Sequence, residues 1–293
     1  MKNKVLFIGC NFNQIPYLQN LSNRGFIIIG TDSNDNAPGK KYADKFYNVG
    51  YADFKNLQNI IEDESFTKND LIFTASSQFS YIAASICAKK AQINYPSVNN
   101  ILKCIDKSKT YPLFEQYEIS IPVTQYVNNQ EQLLNALEGV DNEATFYLKS
   151  DFSKNPNYIY AGTSADILSA TINWKKDNFL NLQYVLQDAF KGTGIRINIF
   201  EGNFEVYDFE TGAKLKSSIL DLKPLSGLVS KLEKLANEMG MRSWVMKFDI
   251  IFNESSYVAL DIGLDPPARM KKHWELNNKD FVDFYTSQYV KKF

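Results

Sequence analysis

The sequence predicts a mixed α/β and α+β protein in which a doubly wound parallel-sheet domain precedes a region of antiparallel strands. Apolar runs alternate with helical patterns over roughly the first hundred residues, as expected for parallel strands with helical crossovers. Closely spaced strand patterns follow residue 183, and they end in a hairpin candidate at 244–270. The two halves therefore have different sheet types.

The first domain is predicted from its strand and helix patterns in order. The apolar run KVLFIG at 4–9 is followed by a helix pattern at 14–24 and a second apolar run at 26–29. Further strands are predicted at 46–49 and 70–75, and further helices at 54–62 and 81–90. The first loop, GCNFNQ, lacks the G-x-G-x-x-G of dinucleotide sites. This argues against an oxidoreductase that uses a dinucleotide.

The remaining elements are predicted from residue 105 onward. The middle of the chain has a helix across 105–107, a polar helix at 131–138, a strand at 145–149, a loop at 150–164 and a helix at 165–174. The last third has the strand segments YVLQDAF, GIRINIFEGN and FEVYDFETGAKLK, then a helix at 228–239. A closing aromatic helix is predicted at 281–293.

The hairpin candidate places two acids opposite each other. If the turn is centred near Ser255, Asp249 and Asp261 become cross-strand neighbours. Like charges in that position repel, so a compensating cation is needed. Mg²⁺ suits the task because it binds one or two carboxylates together with phosphate oxygens and water. The alternative is a solvated hairpin face whose acids only add solubility.

Composition narrows the class of protein. The net charge of −1 and the hydrophobic content of 44% favour neither nucleic acid nor a membrane as partner, and we expect a cytoplasmic protein. Cys10, Cys87 and Cys104 lie too far apart in sequence for a metal motif, and His273 is the only histidine. A zinc site is therefore not predicted.

The ordered motifs resemble those of the ATP-grasp superfamily of ligases along essentially the whole chain. These motifs are ILKCIDKSKTYPLFEQYEISIPV, FYLKS, YVLQDAF and KFDII…ALDIG, preceded by an α/β domain at 4–100. The resemblance implies an ATP-grasp fold with an N-terminal parallel-sheet domain at 1–104, a small lid subdomain at 105–183 and a C-terminal antiparallel-sheet subdomain at 184–293. It also implies ATP and Mg²⁺ as cofactors.

Site residues are carried over from the resemblance motif by motif. Lys107 and Lys149 would contact the nucleotide phosphates, and Asp249 and Asp261 would hold Mg²⁺. Gln187 or Asp188, with the main chain of 185–188, would address the adenine edge. For Lys149, the alternative is a surface lysine at a strand end.

Two arginines are candidates for the substrate carboxylate or the acyl phosphate, because a guanidinium presents a planar fork of donors to such groups. Arg196 alternates with isoleucines in a strand pattern and therefore lies on the opposite face from them. Arg269 follows the stiff turn Asp265-Pro266-Pro267. A solvated sheet face is the alternative for Arg196.

The sequence departs from the family pattern at three places. The segment Ser153–Tyr158 stands where the family has a glycine-rich phosphate loop, and Gly194 replaces the acid expected at the ribose. The usual Glu-x-Asn becomes Asp261-Ile262-Gly263, which removes one oxygen ligand, and Asp265 is the candidate to replace it.

The resemblance implies a cytosolic biosynthetic ligase that joins a small carboxylate to an amine at the expense of ATP. The alternative is a nucleotide-binding module of the same fold without turnover, which acts through a partner. Monomer and homodimer both remain open, and neither nucleic acid nor membrane is expected as partner.

Overall fold

The computed structural model describes residues 3–150, 159–171 and 183–290. These residues form three sheets, one parallel and two antiparallel. The predicted combination of a parallel-sheet domain with antiparallel sheets is confirmed. The predicted glycine-poor loop at 153–158 lies outside the described residues.

The N-terminal domain is a four-stranded parallel sheet with helices on both faces. Its strands lie in the order β3-β2-β1-β4. The elements are β1 (Lys4–Ile8), α1 (Ile15–Asn23), β2 (Ile27–Thr31), β3 (Lys45–Tyr47), α2 (Phe54–Asp63), β4 (Leu71–Thr74) and α3 (Ser80–Ala91). Each predicted element of this domain is present, within a few residues of its predicted bounds.

The central strand β1 separates two hydrophobic cores because alternate side chains point to opposite faces of a sheet. Val5 and Phe7 belong to the larger core, which contains residues of α1 and the antiparallel sheet. Leu6 and Ile8 belong to the smaller core beneath α2 and α3. All four side chains are fully buried, which explains why this strand reads as one continuous apolar run.

Two helices, α4 (Val98–Ile105) and α5 (Lys107–Gln116), replace the single helix predicted across 105–107. The break lies at Asp106, whose backbone is extended. The Asp106 carboxylate accepts a hydrogen bond from the Ser108 backbone N–H at 3.1 Å and so caps α5. Lys107 is therefore the first residue of a helix instead of an interior one.

The middle sheet contains four antiparallel strands in the order β5-β8-β6-β7. Its elements are β5 (Thr124–Val127), α6 (Gln130–Leu137), β6 (Thr145–Ser150), β7 (Ile159–Thr163), α7 (Ser164–Thr171) and β8 (Tyr184–Asp188). The loop prediction at 150–164 was wrong for β7, which pairs with β6. The strand at 184–188 also belongs to this sheet, so the change of sheets falls after Asp188.

The C-terminal sheet contains five antiparallel strands in the order β11-β10-β9-β12-β13. These are β9 (Thr193–Phe200), β10 (Asn203–Asp208), β11 (Lys214–Leu215), β12 (Met246–Phe252) and β13 (Tyr257–Gly263). Helix α8 (Leu228–Glu238) precedes the hairpin, while α9 (Ala268–Leu276) and α10 (Phe281–Val290) follow it. Ile195, Ile197 and Ile199 of β9 enter the larger core, as predicted from their alternation with Arg196.

Helix α10 joins the C-terminal part of the chain to the N-terminal domain. The hydroxyls of Tyr285 and Tyr81 lie 2.8 Å apart in the core, and Tyr285 also donates to the Leu264 carbonyl at 3.2 Å. At the surface, Arg24 of α1 pairs with Asp283 at 2.6 Å. The parallel sheet and the five-stranded sheet thus share one core.

Candidate functional site

The predicted opposition of Asp249 and Asp261 across β12 and β13 is confirmed by the strand register. Nearer the turn, Ile250 faces Ala259, so the turn is one residue tighter than predicted. Leu260 is the extra residue of a β-bulge that restores the predicted register at the two acids. Without this bulge, Asp261 would lie on the other face of the sheet.

Arg196 supplies a positive charge to this pair of acids. Its Nε and Nη2 donate to the two carboxylate oxygens of Asp249 at 2.6 and 2.8 Å, across neighbouring strands β9 and β12. Burial alone lowers the pKa of Arg196, but the hydrogen bonds and charge of Asp249 raise it overall. The guanidinium therefore stays charged and offsets the repulsion between the acids.

Arg269 lies beside Arg196, and both guanidinium groups pack against the ring of Phe209. The guanidinium carbons lie 5.4 Å (Arg196) and 4.8 Å (Arg269) from the ring centroid. Gly194 makes room for this ring, since a Cβ atom there would lie 2.8 Å from the Phe209 Cβ. A side chain at residue 194 would therefore displace the Phe209 ring.

Not every hydrogen-bond donor of the Arg269 guanidinium has a partner among the described residues. Its Nη2 donates to the Phe209 carbonyl, while its Nη1 is buried and has no hydrogen-bond partner among them. Burial, and then the nearby charge of Arg196, lower the pKa of Arg269. A buried guanidinium N–H without a hydrogen-bond partner among the described residues is suited to bind an anionic ligand.

Lys149 projects from β6 of the middle sheet towards the acidic hairpin. Its ammonium lies 3.2 Å from Gln187 Oε1 and 5.0 Å from the centroid of the Tyr147 ring. Burial, followed by the charge of Lys107, lowers the pKa of Lys149 to about 8, although Asp261 and Asp249 act in the opposite direction. The four predicted residues Lys107, Lys149, Asp249 and Asp261 are therefore electrostatic neighbours.

Lys107 is held at the start of α5 with only 7% of its surface exposed. Its carbonyl accepts a hydrogen bond from the Tyr126 hydroxyl at 3.3 Å. Within 3–150, 159–171 and 183–290, neither Lys107 nor Lys149 forms an ion pair with a carboxylate. Two neighbouring lysines of like charge, one buried and one half-buried, favour a bound anion.

The side chain of Gln187, a residue predicted to address the adenine edge, is hydrogen-bonded to three side chains of the protein. It is 1% exposed, and its Nε2 donates to Tyr111 Oη at 3.0 Å and to Thr124 Oγ1 at 2.9 Å. Its Oε1 accepts from Lys149. Gln187 therefore positions Lys149, and only its main chain is left for a base, while Asp188 is exposed at the end of β8.

A chain of hydrogen bonds connects the middle sheet to the hairpin. Tyr111 accepts from Gln187 and donates to the carbonyl of the bulged residue Leu260 at 3.2 Å. These hydrogen bonds thus connect the ammonium of Lys149, through Gln187 and Tyr111, to Leu260, the bulge that sets the register of Asp261. The sequence patterns did not indicate Tyr111, because its partners lie far from it along the chain.

Asp265, the predicted third metal ligand, lies in an ion pair instead. Its Oδ2 is 2.6 Å from the ammonium of Lys247, and its Oδ1 accepts from Gln78 Nε2 at 3.2 Å. Among the described residues, no group of three or more His, Cys, Asp or Glu side chains is arranged to hold a metal ion. Asp249 and Asp261 therefore form a two-carboxylate set, which fits Mg²⁺ when phosphate oxygens and water complete its shell.

A cavity of about 490 Å³ lies beside this site, at the ends of β1 and β4. Strand order reverses between these two strands, and ligands of open α/β sheets bind at such positions. Gln14, Asp265 and Lys271 are among its lining residues. Gln14 is 4% exposed, and its Oε1 has no hydrogen-bond partner among the described residues.

Solved structures with the same fold are numerous, although all those compared have low sequence identity. The L-amino acid ligase from Bacillus licheniformis is 13% identical with a TM-score of 0.72, and the match covers 99% of this chain and 75% of that one. The ADP complex of N5-carboxyaminoimidazole synthetase from Staphylococcus aureus is 12% identical with a TM-score of 0.68, covering 99% and 78%.

A third similar structure is the biotin carboxylase domain of the 2-oxoglutarate carboxylase from Hydrogenobacter thermophilus, in complex with MgADP, ADP and bicarbonate. It is 13% identical with a TM-score of 0.73, and the match covers 99% of this chain and 70% of that one. The chain therefore has the ATP-grasp fold, as the sequence motifs predicted.

Searches by sequence give a different result from the structural comparison. No protein-family model matches the sequence, and no curated protein does.

Among the described residues, no helix is long and apolar enough to cross a membrane.

The pKa of Lys149 provides a direct test of this arrangement. We expect a value of about 8 in the wild type, and a higher value in Lys107→Met because a neighbouring like charge is removed. NMR titration of ¹³C-labelled lysine side chains measures both. The exposed Lys55→Met serves as the control and leaves the value unchanged. A wild-type Lys149 that titrates near 10.5, the ordinary value, would contradict the geometry.

Proposed function

We propose that this chain is an ATP- and Mg²⁺-dependent ligase that activates a small carboxylate for attack by an amine. One observation carries the proposal: the buried Lys107 and the half-buried Lys149, from different elements, are electrostatic neighbours of the opposed acids Asp249 and Asp261. This is the charge pattern needed for a nucleotide polyphosphate together with a divalent cation. The likeness to solved structures that bind ADP supports it.

Lys107 and Lys149 bind the phosphates in this proposal. Phosphoryl transfer depends mainly on positioning and on neutralising charge on phosphate oxygens. Gln187 holds Lys149 in place through its Oε1, and the main chain of 185–188 with Asp188 addresses the adenine edge. Because the lysine pKa is near 8, Lys149 is protonated at neutral pH.

Asp249 and Asp261 hold Mg²⁺ in this proposal. When bound, the ion neutralises phosphate oxygens and so favours attack on the terminal phosphorus. Arg196 neutralises Asp249 through hydrogen bonds to both of its carboxylate oxygens, and its charge also favours the nearby Asp261 carboxylate. Asp249 and Asp261 are the residues that would hold the ion.

The reaction consists of two balanced steps. A carboxylate oxygen attacks the terminal phosphorus of ATP, which forms an acyl phosphate and releases ADP. The amine nitrogen then attacks the acyl carbon, the C–O bond to phosphate breaks, the nitrogen gives up a proton to the leaving phosphate or to water, and an amide results. The buried Arg269 Nη1 is the donor proposed for the carboxylate or the acyl phosphate, with Arg196 beside it.

The cavity at the ends of β1 and β4 is the proposed amine site. Gln14 Oε1 is a buried acceptor without a partner among the described residues, and Asp265 contributes a carboxylate to the same cavity. Both groups accept hydrogen bonds, and an amine or ammonium donates them. We place this activity in cytosolic biosynthesis on small molecules, with a homodimer as the proposed assembly.

The first prediction concerns ATP binding. Wild-type protein should bind Mg·ATP, and Lys149→Met should weaken binding at least tenfold, because a charge-assisted hydrogen bond contributes about 1.5–3 kcal/mol. Affinity should also fall as pH rises through about 8, where Lys149 loses its proton in the free protein. Isothermal titration calorimetry at several pH values measures both effects.

Controls and turnover separate this proposal from its alternative. Asp261→Asn should weaken binding only when Mg²⁺ is present, and the exposed Asp63→Asn should change nothing. A coupled ADP assay with the twenty L-amino acids and bicarbonate should show release that needs an acceptor amine. Failure to bind Mg·ATP defeats the proposal. Tight binding without ADP release from any mixture would favour a binding module without turnover.

Replacing Gln14 by an apolar side chain of similar length tests the proposed amine cavity. Gln14→Met should raise the KM for the amine about fivefold and leave the affinity for ATP unchanged, since one hydrogen bond to the ligand of roughly 1 kcal/mol is lost. The change also removes the hydrogen bond from Gln14 Nε2 to the Ala75 carbonyl at 2.9 Å, so the unchanged affinity for ATP serves as the check that the site is intact. Gln19→Met, an exposed change on α1, the helix that begins at the residue after Gln14, is the matched control. An equal effect on ATP affinity, or no effect on the amine KM, would contradict the assignment.

A further inference from the structure

Gln14 is a buried acceptor of the cavity at the ends of β1 and β4. Its Nε2 donates to the Ala75 carbonyl at 2.9 Å, and this bond fixes which end of the amide is the oxygen. The side chain is buried, and its Oε1 has no hydrogen-bond partner among the described residues. A buried oxygen in that state costs free energy unless a ligand or a water molecule donates to it.

Lys271 brings a positive charge to the same cavity. Among the described residues that line the cavity, it is the only lysine or arginine. Its ammonium lies 5.8 Å from the centroid of the buried Tyr17 ring. Its carboxylate partner is Glu275, one helical turn further on at 3.8 Å, with 54% of that side chain exposed. An exposed pair of this kind contributes little to stability, so the ammonium is able to bind another anion.

Tyr17 links the acceptor and the cation in space. Gln14 is the residue before α1, and Tyr17 follows it by three positions, so the two side chains lie on one side of the helix start. Both line the cavity, and the Lys271 ammonium lies beside the Tyr17 ring. The volume of about 490 Å³ suits a small molecule. A ligand of this cavity therefore meets an acceptor at Gln14 and a cation at Lys271.

Asp265 also lines the cavity, but its charge is offset by the ion pair with Lys247 at 2.6 Å. An isolated carboxylate would hold an amine in its protonated form, which cannot attack an acyl phosphate. The neutral amide of Gln14 accepts a hydrogen bond without that effect. The cavity therefore suits an amine that must lose its proton before it reacts.

We propose that the amine substrate carries its own carboxylate, as an amino acid does, and that Lys271 binds this carboxylate while Gln14 accepts from the amino group. This inference rests on the proposed function and on the assignment of the cavity to the amine. One lysine matches the single charge of a carboxylate, whereas a phosphate monoester carries about two charges at neutral pH. Lys271 is thus a specificity-determining residue.

Pairs of amines that differ in one charge test the inference without measuring turnover. Protein saturated with Mg·ADP is titrated calorimetrically with each of the twenty L-amino acids and with their α-amides, which lack the negative charge. We expect at least one amino acid to bind about tenfold more tightly than its amide, because the amide cannot form a charge-assisted hydrogen bond with Lys271.

Three variants assign the two ends of the ligand. Lys271→Met should remove the preference for the amino acid over its amide. Gln14→Met should weaken both ligands by the same factor, because they share the amino group. Lys272→Met changes the exposed lysine that follows on the same helix and should leave both affinities unchanged.

The outcomes that contradict the inference differ from failure of the proposed function. The role of Lys271 would be overturned by absence of binding of all the amino acids, by equal affinities for every amino acid and its amide, or by tighter binding of aminomethylphosphonate than of glycine. Retention of the wild-type preference in Lys271→Met with an unchanged circular dichroism spectrum would also overturn it. Each of these results leaves the nucleotide site intact, whereas a wild-type protein that does not bind Mg·ADP would defeat the proposed function itself.

Discussion

The opposition of two carboxylates across one hairpin is the constraint on which the rest of the site depends. The bulge at Leu260 places Asp249 opposite Asp261 at a cost in repulsion, and two positive charges offset that cost. Arg196 neutralises Asp249 with two hydrogen bonds, and Lys149 lies within electrostatic range. The site is therefore assembled from charges that are stable only in combination.

The parts of the site lie on different sheets, and their coupling is direct. The middle sheet contributes Lys149 and Gln187, while the five-stranded sheet contributes the acids and Arg196. Tyr111 connects them, because it bonds both to Gln187 and to the bulged carbonyl of Leu260. A shift of the middle sheet would consequently disturb both Lys149 and the register of the hairpin.

Local patterns were sufficient to predict the sheet types and the faces on which the acids lie. The alternation along β9 predicted that Arg196 lies on the opposite face from the buried isoleucines, and the structure confirms it. The prediction works because successive residues of a strand point to opposite faces whatever their neighbours are. The opposition of Asp249 and Asp261 was predicted from a turn that is one residue longer than the real one. The bulge at Leu260 compensated for that difference.

Features set by distant partners could not be predicted in this way. The strand at 159–163 is a strand because β6 pairs with it, and the Gln187 amide is oriented by its hydrogen bonds to Tyr111 and Thr124. Asp265 was expected to bind metal, but Lys247 reaches it across Gly263. None of these pairings leaves a signal within a short window of sequence.

The most direct measurement is a crystal structure with Mn²⁺ and a non-hydrolysable ATP analogue, analysed by anomalous scattering. The account predicts a Mn²⁺ peak at the carboxylates of Asp249 and Asp261, with the analogue's phosphates reaching Lys107 and Lys149. An analogue bound elsewhere, or an ion remote from the hairpin, would contradict it.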